Sequence, residues 1–286
     1  MPHPTLLVGI TTRNRAHILP KAIRSALSQN CPGVRVAVLD DGSTDDTSRL
    51  QAEFPQVQWV RHETSHGIIE SRNELMRATD ATYYVSLDDD AWFLRDDELA
   101  LAVARLESDS TVGAIAFDIL SPDRADPVER AALREVAMFI GCGHVLRLSA
   151  VRAAGYYAAS PGTYGSEEKD LSLRLADLGF RIELMPGVHV WHDKAWQDRD
   201  YFPIHRSGVC NELIMTIRRC PLPDVLLVLP LKLVSYAWFW IRRPSFLRAG
   251  LAGVGAALRY SGSAWRSRAP VRRETFWRMS AGKGRT

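Results

Sequence analysis

The chain has 286 residues, 46% hydrophobic and 24% charged, which supplies ample material for a core and excludes wholesale disorder. Lys and Arg number 36 against 33 Asp and Glu, yet eleven of the basic residues and only one acid, Glu274, fall in residues 242–286. That tail carries +10 and the remainder −7, so the tail is the part suited to an anionic surface, membrane or nucleic acid.

Cys31, Cys142, Cys210 and Cys220 are scattered and form no Cys-x-x-Cys pair, which argues against a disulfide framework and fits a reducing compartment. The first ten residues lack a basic cluster and a long apolar run, so they do not read as a signal peptide. The expected location is cytosolic.

Residues 5–12 form a short apolar run, a buried first strand, and the polar Thr-Thr-Arg-Asn-Arg closes it. Leu19, Ile23, Ala26 and Leu27 have helical spacing, with Pro20 placed in a first turn. Residues 34–39 make a second β run ending in Asp40-Asp41-Gly42-Ser43-Thr44. Ser43 or Thr44 can cap a helix running to about Phe54. A third short strand at 57–61 precedes a helix at 67–79 that bears Arg72 and Asn73. Alternating short strands and helices imply a parallel α/β sheet, in which ligands bind at the carboxyl ends of strands. The polar clusters at 11–14, 40–43 and 88–90 all fall at such ends.

Residues 83–92, Tyr-Tyr-Val-Ser-Leu-Asp-Asp-Asp-Ala-Trp, are the stretch around which the rest is organised. The bulky β-favouring residues predict a buried strand that stops in three carboxylates. Strand alternation lets Asp88 and Asp90 converge while Asp89 points away. Two converging carboxylates repel, and a hard divalent cation with open positions for phosphate oxygens relieves that repulsion. A solvated acidic turn ahead of the next helix is the structural alternative.

Residues 99–107 read as an amphipathic helix, 112–117 as a strand and 121–127 as a polar Pro/Asp loop. Residues 137–147 read as strands interrupted by Gly141 and Gly143. Leu171, Leu175 and Leu178 mark a helix whose first turn holds Glu167, Glu168 and Asp170, where the helix dipole favours acids. Runs at 182–184 and 188–191 are further strands, closing on His192. From Cys220 the chain becomes apolar. Residues 222–241, expected to be broken by Pro230, end in Tyr236, Trp238, Phe239 and Trp240 before Arg242-Arg243, and 246–258 form a second apolar segment. Neither reads as an uninterrupted span, and aromatics beside arginines suit the headgroup level, so interfacial helices are expected.

Four motifs stand in order: Thr11-Thr12-Arg13-Asn14, Leu39-Asp40-Asp41-Gly42-Ser43, Ser71-Arg72-Asn73 leading into Leu87-Asp88-Asp89-Asp90, and Glu167-Glu168-x-Asp170-Leu171-x-x-Arg174. Together they resemble the family 2 glycosyltransferases over roughly residues 5–195. The resemblance implies an α/β GT-A fold, a Rossmann-like mixed sheet flanked by helices, here with a C-terminal apolar and basic helical extension. It implies a catalytic domain over residues 1–215, with a nucleotide-sugar half at about 1–95 and an acceptor half at 96–215. Residues 216–286 would be the membrane-associated region.

The activity so implied is inverting, metal-dependent transfer of a sugar from a UDP-, dTDP- or GDP-linked donor to an acceptor hydroxyl, with a lipid-linked or membrane-borne glycan precursor as the candidate acceptor. Thr11 and Asp41 would meet the nucleotide base, with Asp40 as the competitor, because a carboxylate accepts an imide proton. Arg72 would meet a phosphate or the base, and Asp88 the ribose, with Asp89 counted among the nucleotide-sugar contacts. Asp88, Asp90 and His192 would hold Mn²⁺ or Mg²⁺, and an imidazole ligand favours manganese. Glu168 matches the general base, one methylene longer than the Asp most members carry, which leaves the register against Glu167 open. Asp170 and Arg174 would tie the helix in place, and His189 is the decoy for His192. A catalytically silent nucleotide-sugar-binding protein and a nucleotidyltransferase are the competing classes, but the latter's Gly-rich, Lys-bearing loop is not visible after the first strand. No nucleic-acid partner is expected, and the sequence leaves the oligomeric state open.

Overall fold

Short alternating strands and helices open the chain because the first, second and fourth strands are apolar on both faces and need cover on both. The computed structural model describes residues 4–124, 132–193 and 200–281. Residues 125–127 of the polar loop, and Lys283 and Arg285 of the basic tail, lie outside them. The chain divides into two units, residues 4–156 with 178–193, and 157–177 with 200–281.

In the first unit, β1 (Leu6–Thr12) pairs in parallel with β2 (Val34–Asp40) and β4 (Tyr83–Asp88), and β2 pairs in parallel with β3 (Gln58–Arg61). Helices α1 (Leu19–Leu27) and α3 (Ile68–Ala78) make the crossovers, and between β2 and β3 runs a 3₁₀ turn (Asp46–Arg49) leading into α2 (Leu50–Glu53). Its cap is Asp45, which accepts from the Thr47 amide at 3.0 Å, rather than Ser43 or Thr44. Ser43 instead accepts from the Asn14 amide. Leu6, Val8 and Ile10 of β1 pack with Leu19, Ala22, Ile23 and Ala26 of α1 in one core. On the opposite face Tyr84 lies over Gly9 so closely that a β-carbon there would sit 2.3 Å from the phenolic oxygen. Only glycine fits that position.

Past β4 the sheet becomes mixed, as the resemblance implied, where the local strand and helix units gave only a parallel one. It continues through β5 (Ala91–Phe93), α4 (Glu98–Ser108), β6 (Val112–Leu120), β7 (Arg134–Glu135), β8 (Gly143–Arg147), α5 (Leu148–Ala154) and β9 (Arg181–His192). The strand order is β3-β2-β1-β4-β8-β6-β9-β5, with β7 on β9. β8 runs antiparallel to both β4 and β6, while β6 and β9 are parallel. The two late β runs are one strand, β9, which slips register against β6 and turns through Gly187 at φ 79°. Of residues 137–147 only the last five form strand.

The second unit holds α6 (Glu167–Asp177), α7 (Tyr201–Arg219), α8 (Val225–Arg242), α9 (Leu247–Arg266) and α10 (Arg273–Ala281). Helix α7 was not anticipated, although Val209, Leu213 and Ile217 have helical spacing. They pack with Trp240 of α8 and with Ala256, Ala257 and Ala264 of α9. Gly253 lets α9 approach α7, since a β-carbon there would meet the Arg206 carbonyl oxygen at 2.7 Å. Carboxylates bind the helices together. Asp170 bonds Arg174 of its own helix and Arg219 of α7, Asp224 takes Arg273 at 2.7 and 2.9 Å, and Glu212 takes both Lys169 and Lys232. Pro230 does not break α8, which runs through it on a largely exposed helix and so forgoes one backbone donor. At 18 residues and 11% buried, α8 is long and apolar enough to cross a membrane by length and composition alone, contrary to the expectation from Pro230.

Candidate active site

Sheet register brings the polar strand ends of the first unit to one edge. Thr11 lies beside Asp88 across β1 and β4, and Thr12 beside Asp40 across β1 and β2. β4 ends at Asp88, so Asp89 and Asp90 sit in a tight turn rather than in extended strand. The chain then returns as β5, which pairs antiparallel with β9 and sets Ala91 opposite His192. Turn and pairing, not strand alternation, bring Asp88, Asp90 and His192 together. One donor atom from each lies within 4.8 Å of the others.

Cations surround these acids. Arg72 is buried on α3, not a surface side chain; it donates to Asp88 at 2.6 Å and to the Gly141 carbonyl at 3.3 Å. Arg15, which the sequence reading did not single out, donates from one nitrogen to Asp89 at 3.0 Å and to Asp90 at 2.9 Å. His192 Nε2 lies 3.1 Å from Asp90 Oδ1. Burial alone would raise the Asp90 carboxyl, but His192 and Arg15 outweigh it and hold it below the usual range. Asp89 is the converse case. Its desolvation is only partly offset by Arg15 and by the Thr12 hydroxyl at 2.8 Å, and its carboxyl is pushed up to about 7. The donor set of two carboxylates and an imidazole, two of its members buried, suits a divalent cation of the manganese kind. The Nδ1 of His192 is a buried atom with no hydrogen-bond partner.

Asp40 and Asp41 differ sharply. Asp41 accepts four hydrogen bonds, two per oxygen: from His62 Nδ1 (2.8 Å), the His66 amide (2.8 Å), the Ser65 hydroxyl (2.6 Å) and the Gly67 amide (2.9 Å). A carboxylate offers about four acceptor positions, so this one is full. Burial opposes ionisation, yet these donors hold Asp41 far below the ordinary carboxylate range. Asp40 takes the Ser43 amide on Oδ1 at 2.8 Å, while its buried Oδ2 has no hydrogen bond and faces Arg61 Nε at 3.5 Å. His62, also missed in the sequence, is the buried partner of both Asp41 and Glu74.

In the second unit, Glu167 is buried and its carboxylate turns back to the Gly165 amide, whereas Glu168, the next residue, is half-buried. Asp170 holds Arg174 and Arg219, the tying role its spacing suggested. His189, the decoy, sits beside Asp118 across β6 and β9, in a small cavity with Leu184, Met185 and Gly187.

The mixed sheet with its flanking helices is the fold of GT-A glycosyltransferases of known structure. A mannosyltransferase from Pyrobaculum calidifontis, solved with GDP-Man and Mn²⁺, superposes with a TM-score of 0.61 at 22% identity, covering 98% of this chain and 85% of its own. TarS of S. aureus, residues 1–349 with UDP-GlcNAc, gives 0.63 at 13% identity over 91% and 88% of the two chains. GalNAc-T7, with UDP, GalNAc and Mn²⁺, gives 0.62 at 15% identity over 76% of this chain and 48% of its own. The Glycosyl transferase family 2 model matches residues 7–151, half of the chain, and the chain belongs to that family. Chondroitin synthase of Escherichia coli is 28% identical over 116 residues, 39% of this chain, which thereby spans 17% of that protein's length. The matched segment contains Asp40, Asp41, Arg72 and Asp88 to Asp90; Glu168 and His192 fall beyond it.

A carboxylate held below its ordinary value adds stability above that value and loses it as pH falls through the folded-state value. Asp41→Asn should therefore cost about 1–3 kcal/mol at neutral pH, with the gap to wild type closing as pH falls below about 4. Chemical denaturation across pH 3–8 measures this; a gap independent of pH would contradict the assignment.

Proposed function

We propose that the protein is an inverting, divalent-metal-dependent glycosyltransferase that moves a sugar from a nucleoside-diphosphate donor to an acceptor hydroxyl at a membrane surface. The observation that carries this reading is the convergence of Asp88, Asp90 and His192 at the edge formed by the ends of β1, β2 and β4. When bound there, Mn²⁺ or Mg²⁺ neutralises the charge that develops on the departing diphosphate. The mannosyltransferase and GalNAc-T7 structures, each solved with Mn²⁺, support the metal class, and GDP-Man, UDP and UDP-GlcNAc in the three neighbours support the donor class. Asp88 and Asp90 hold the metal and Asp88 approaches the ribose. Arg72 and Arg15 lie where they can turn from these acids to phosphate oxygens. With Asp41 filled by its own turn, Asp40 beside Thr12 takes the base edge once the half-exposed Arg61 moves aside.

Glu168 is the base that accepts the proton of the attacking hydroxyl, and its half-buried position next to the committed Glu167 favours that register. Attack from the face opposite the diphosphate inverts the anomeric centre.

The membrane reading rests on two exposed apolar stripes. Leu227, Leu231, Val234, Trp238 and Ile241 recur every three or four residues on α8 and are 56–69% exposed. Leu247, Leu251, Leu258 and Trp265 form a second exposed stripe on α9. The opposite face of α8 packs through Trp240 and ties Lys232 to Glu212 of α7, so α8 lies on a bilayer rather than across it. Of the basic tail, Arg268, Arg272 and Arg273 are committed to bonds within this unit. Arg242, Arg243, Arg248, Arg259 and Arg266 are exposed and available to anionic headgroups. The site would then work at the cytosolic face, beside a lipid-linked acceptor.

A panel of UDP-, dTDP- and GDP-sugars, read as nucleoside diphosphate release with and without acceptor lipids, tests the activity. Turnover should need Mn²⁺ or Mg²⁺ and nearly vanish in Asp90→Ala; full activity of that variant in chelator refutes the metal role. Glu168→Gln should lower turnover on the order of a hundredfold or more with donor binding retained. If Glu167→Gln behaves that way instead, the base is one residue earlier. In liposome flotation, wild-type protein should bind anionic vesicles, and binding should weaken with salt. Leu231→Glu/Trp238→Glu should release it; equal, negligible binding by both proteins would remove the membrane from the reading.

A further inference from the structure

His62, at the end of β3, is buried among three acidic or imidazole side chains. Its Nδ1 faces Asp41 at 2.8 Å, its Nε2 faces Glu74 Oε2 at 2.9 Å, and its ring stacks on His66 with centroids 4.0 Å apart. One donor atom each from His62, His66 and Glu74 lies within 4.8 Å of the others. The three come from separate pieces of the first unit: His62 follows β3, His66 sits in the turn before α3, and Glu74 lies two turns into that helix.

From this geometry we propose that His62, His66 and Glu74 form a second metal site, distinct from the Asp88–Asp90–His192 group, that takes a zinc-class divalent cation. Two imidazoles and one carboxylate suit Zn²⁺, Co²⁺ or Ni²⁺ rather than Mg²⁺ or Ca²⁺, which prefer oxygen. The supporting contact is already in place. Asp41 accepts the Nδ1 proton of His62, which fixes the tautomer that presents Nε2 as a ligand, as a metal-bound imidazole requires. Donors of a four-coordinate zinc stand about 3.3 Å apart, given bonds of about 2.0–2.1 Å. Closing the group to that size falls to the exposed His66 and the half-buried Glu74, while His62 keeps its place. Three protein ligands leave a fourth position open to water on the exposed side.

The cation takes the place between His62 Nε2 and Glu74 Oε2, now 2.9 Å apart, and cross-links β3, the 62–67 turn and α3. Asp41 holds the same turn through the His66 and Gly67 amides, and α3 carries Arg72 to Asp88. Occupancy therefore stiffens one flank of the nucleotide edge, and the site stands whether or not the proposed transfer reaction is correct.

The test is a titration of chelator-stripped, full-length protein with Co²⁺, read by visible absorption, together with melting temperature in Zn²⁺. Wild type should bind Co²⁺ at a site that survives in Asp90→Ala but is lost in His66→Ala and in Glu74→Gln. Zn²⁺ should raise the melting temperature of wild type and of Asp90→Ala by several degrees and leave His66→Ala unchanged. His66 is exposed, so its removal spares the fold, and circular dichroism verifies this. Unaltered Co²⁺ binding in both His66→Ala and Glu74→Gln, or loss of all binding in Asp90→Ala, overturns the proposal.

Discussion

Everything at the sheet edge depends on holding like charges together at the end of a buried strand. Asp88, Asp89 and Asp90 follow a β4 that is buried from Tyr83 to Leu87, and two of the three are themselves buried. Carboxylates so placed repel one another and lose hydration, and each must find a cation or a donor. The fold supplies them from four directions: Arg15 from the loop after β1, Arg72 from α3, His192 from β9 and the Thr12 hydroxyl from β1. Asp89 remains the least compensated, as its carboxyl near 7 shows. Under the proposed function, a cation and phosphates would take over contacts that these acids and arginines now make with one another.

The neighbouring acids at the end of β2 solve the same problem differently. Asp41 is saturated by a turn that wraps it with amides, a hydroxyl and an imidazole, so it acts as an anchor. Asp40 keeps one buried oxygen without a hydrogen bond, beside an arginine too distant to bond well. Adjacent residues of one type thus divide into a saturated and an unsaturated carboxylate. The second unit shows the same economy. Asp170, Glu212 and Asp224 take up basic side chains of α6, α7, α8 and α10, while the outer faces of α8 and α9 carry apolar stripes and exposed arginines.

Much of this was legible in the sequence because it depends on local pattern. Apolar runs ending in polar clusters marked β1, β2 and β4, and the ordered motifs pointed to the family and fold that the comparisons then showed. Helical spacing at Leu171 and Leu175 marked α6. The tail's charge asymmetry was a matter of counting.

What failed did so where distant segments decide. Asp88 and Asp90 were expected to converge by strand alternation, but a turn and the β5–β9 pairing place them with His192. The local strand and helix units implied only a parallel sheet, and the resemblance alone implied the mixed one that is found; the antiparallel insertion of β8 between β4 and β6 leaves no local signal. Pro230 was expected to end a helix, yet α8 continues because its other face is packed and its exposed face tolerates a missing donor. Arg15 and His62 look like ordinary polar residues in the chain, and only their partners, 74 and 75 residues away for Arg15 and 21 for the Asp41 contact, reveal their use. Residue type and periodicity, which act over a few positions, determined β1, β2, β4 and α6 by sequence alone, and the ordered motifs the family. Register, strand insertion and the pairing of charges act across the whole chain, and only the tertiary structure decided them.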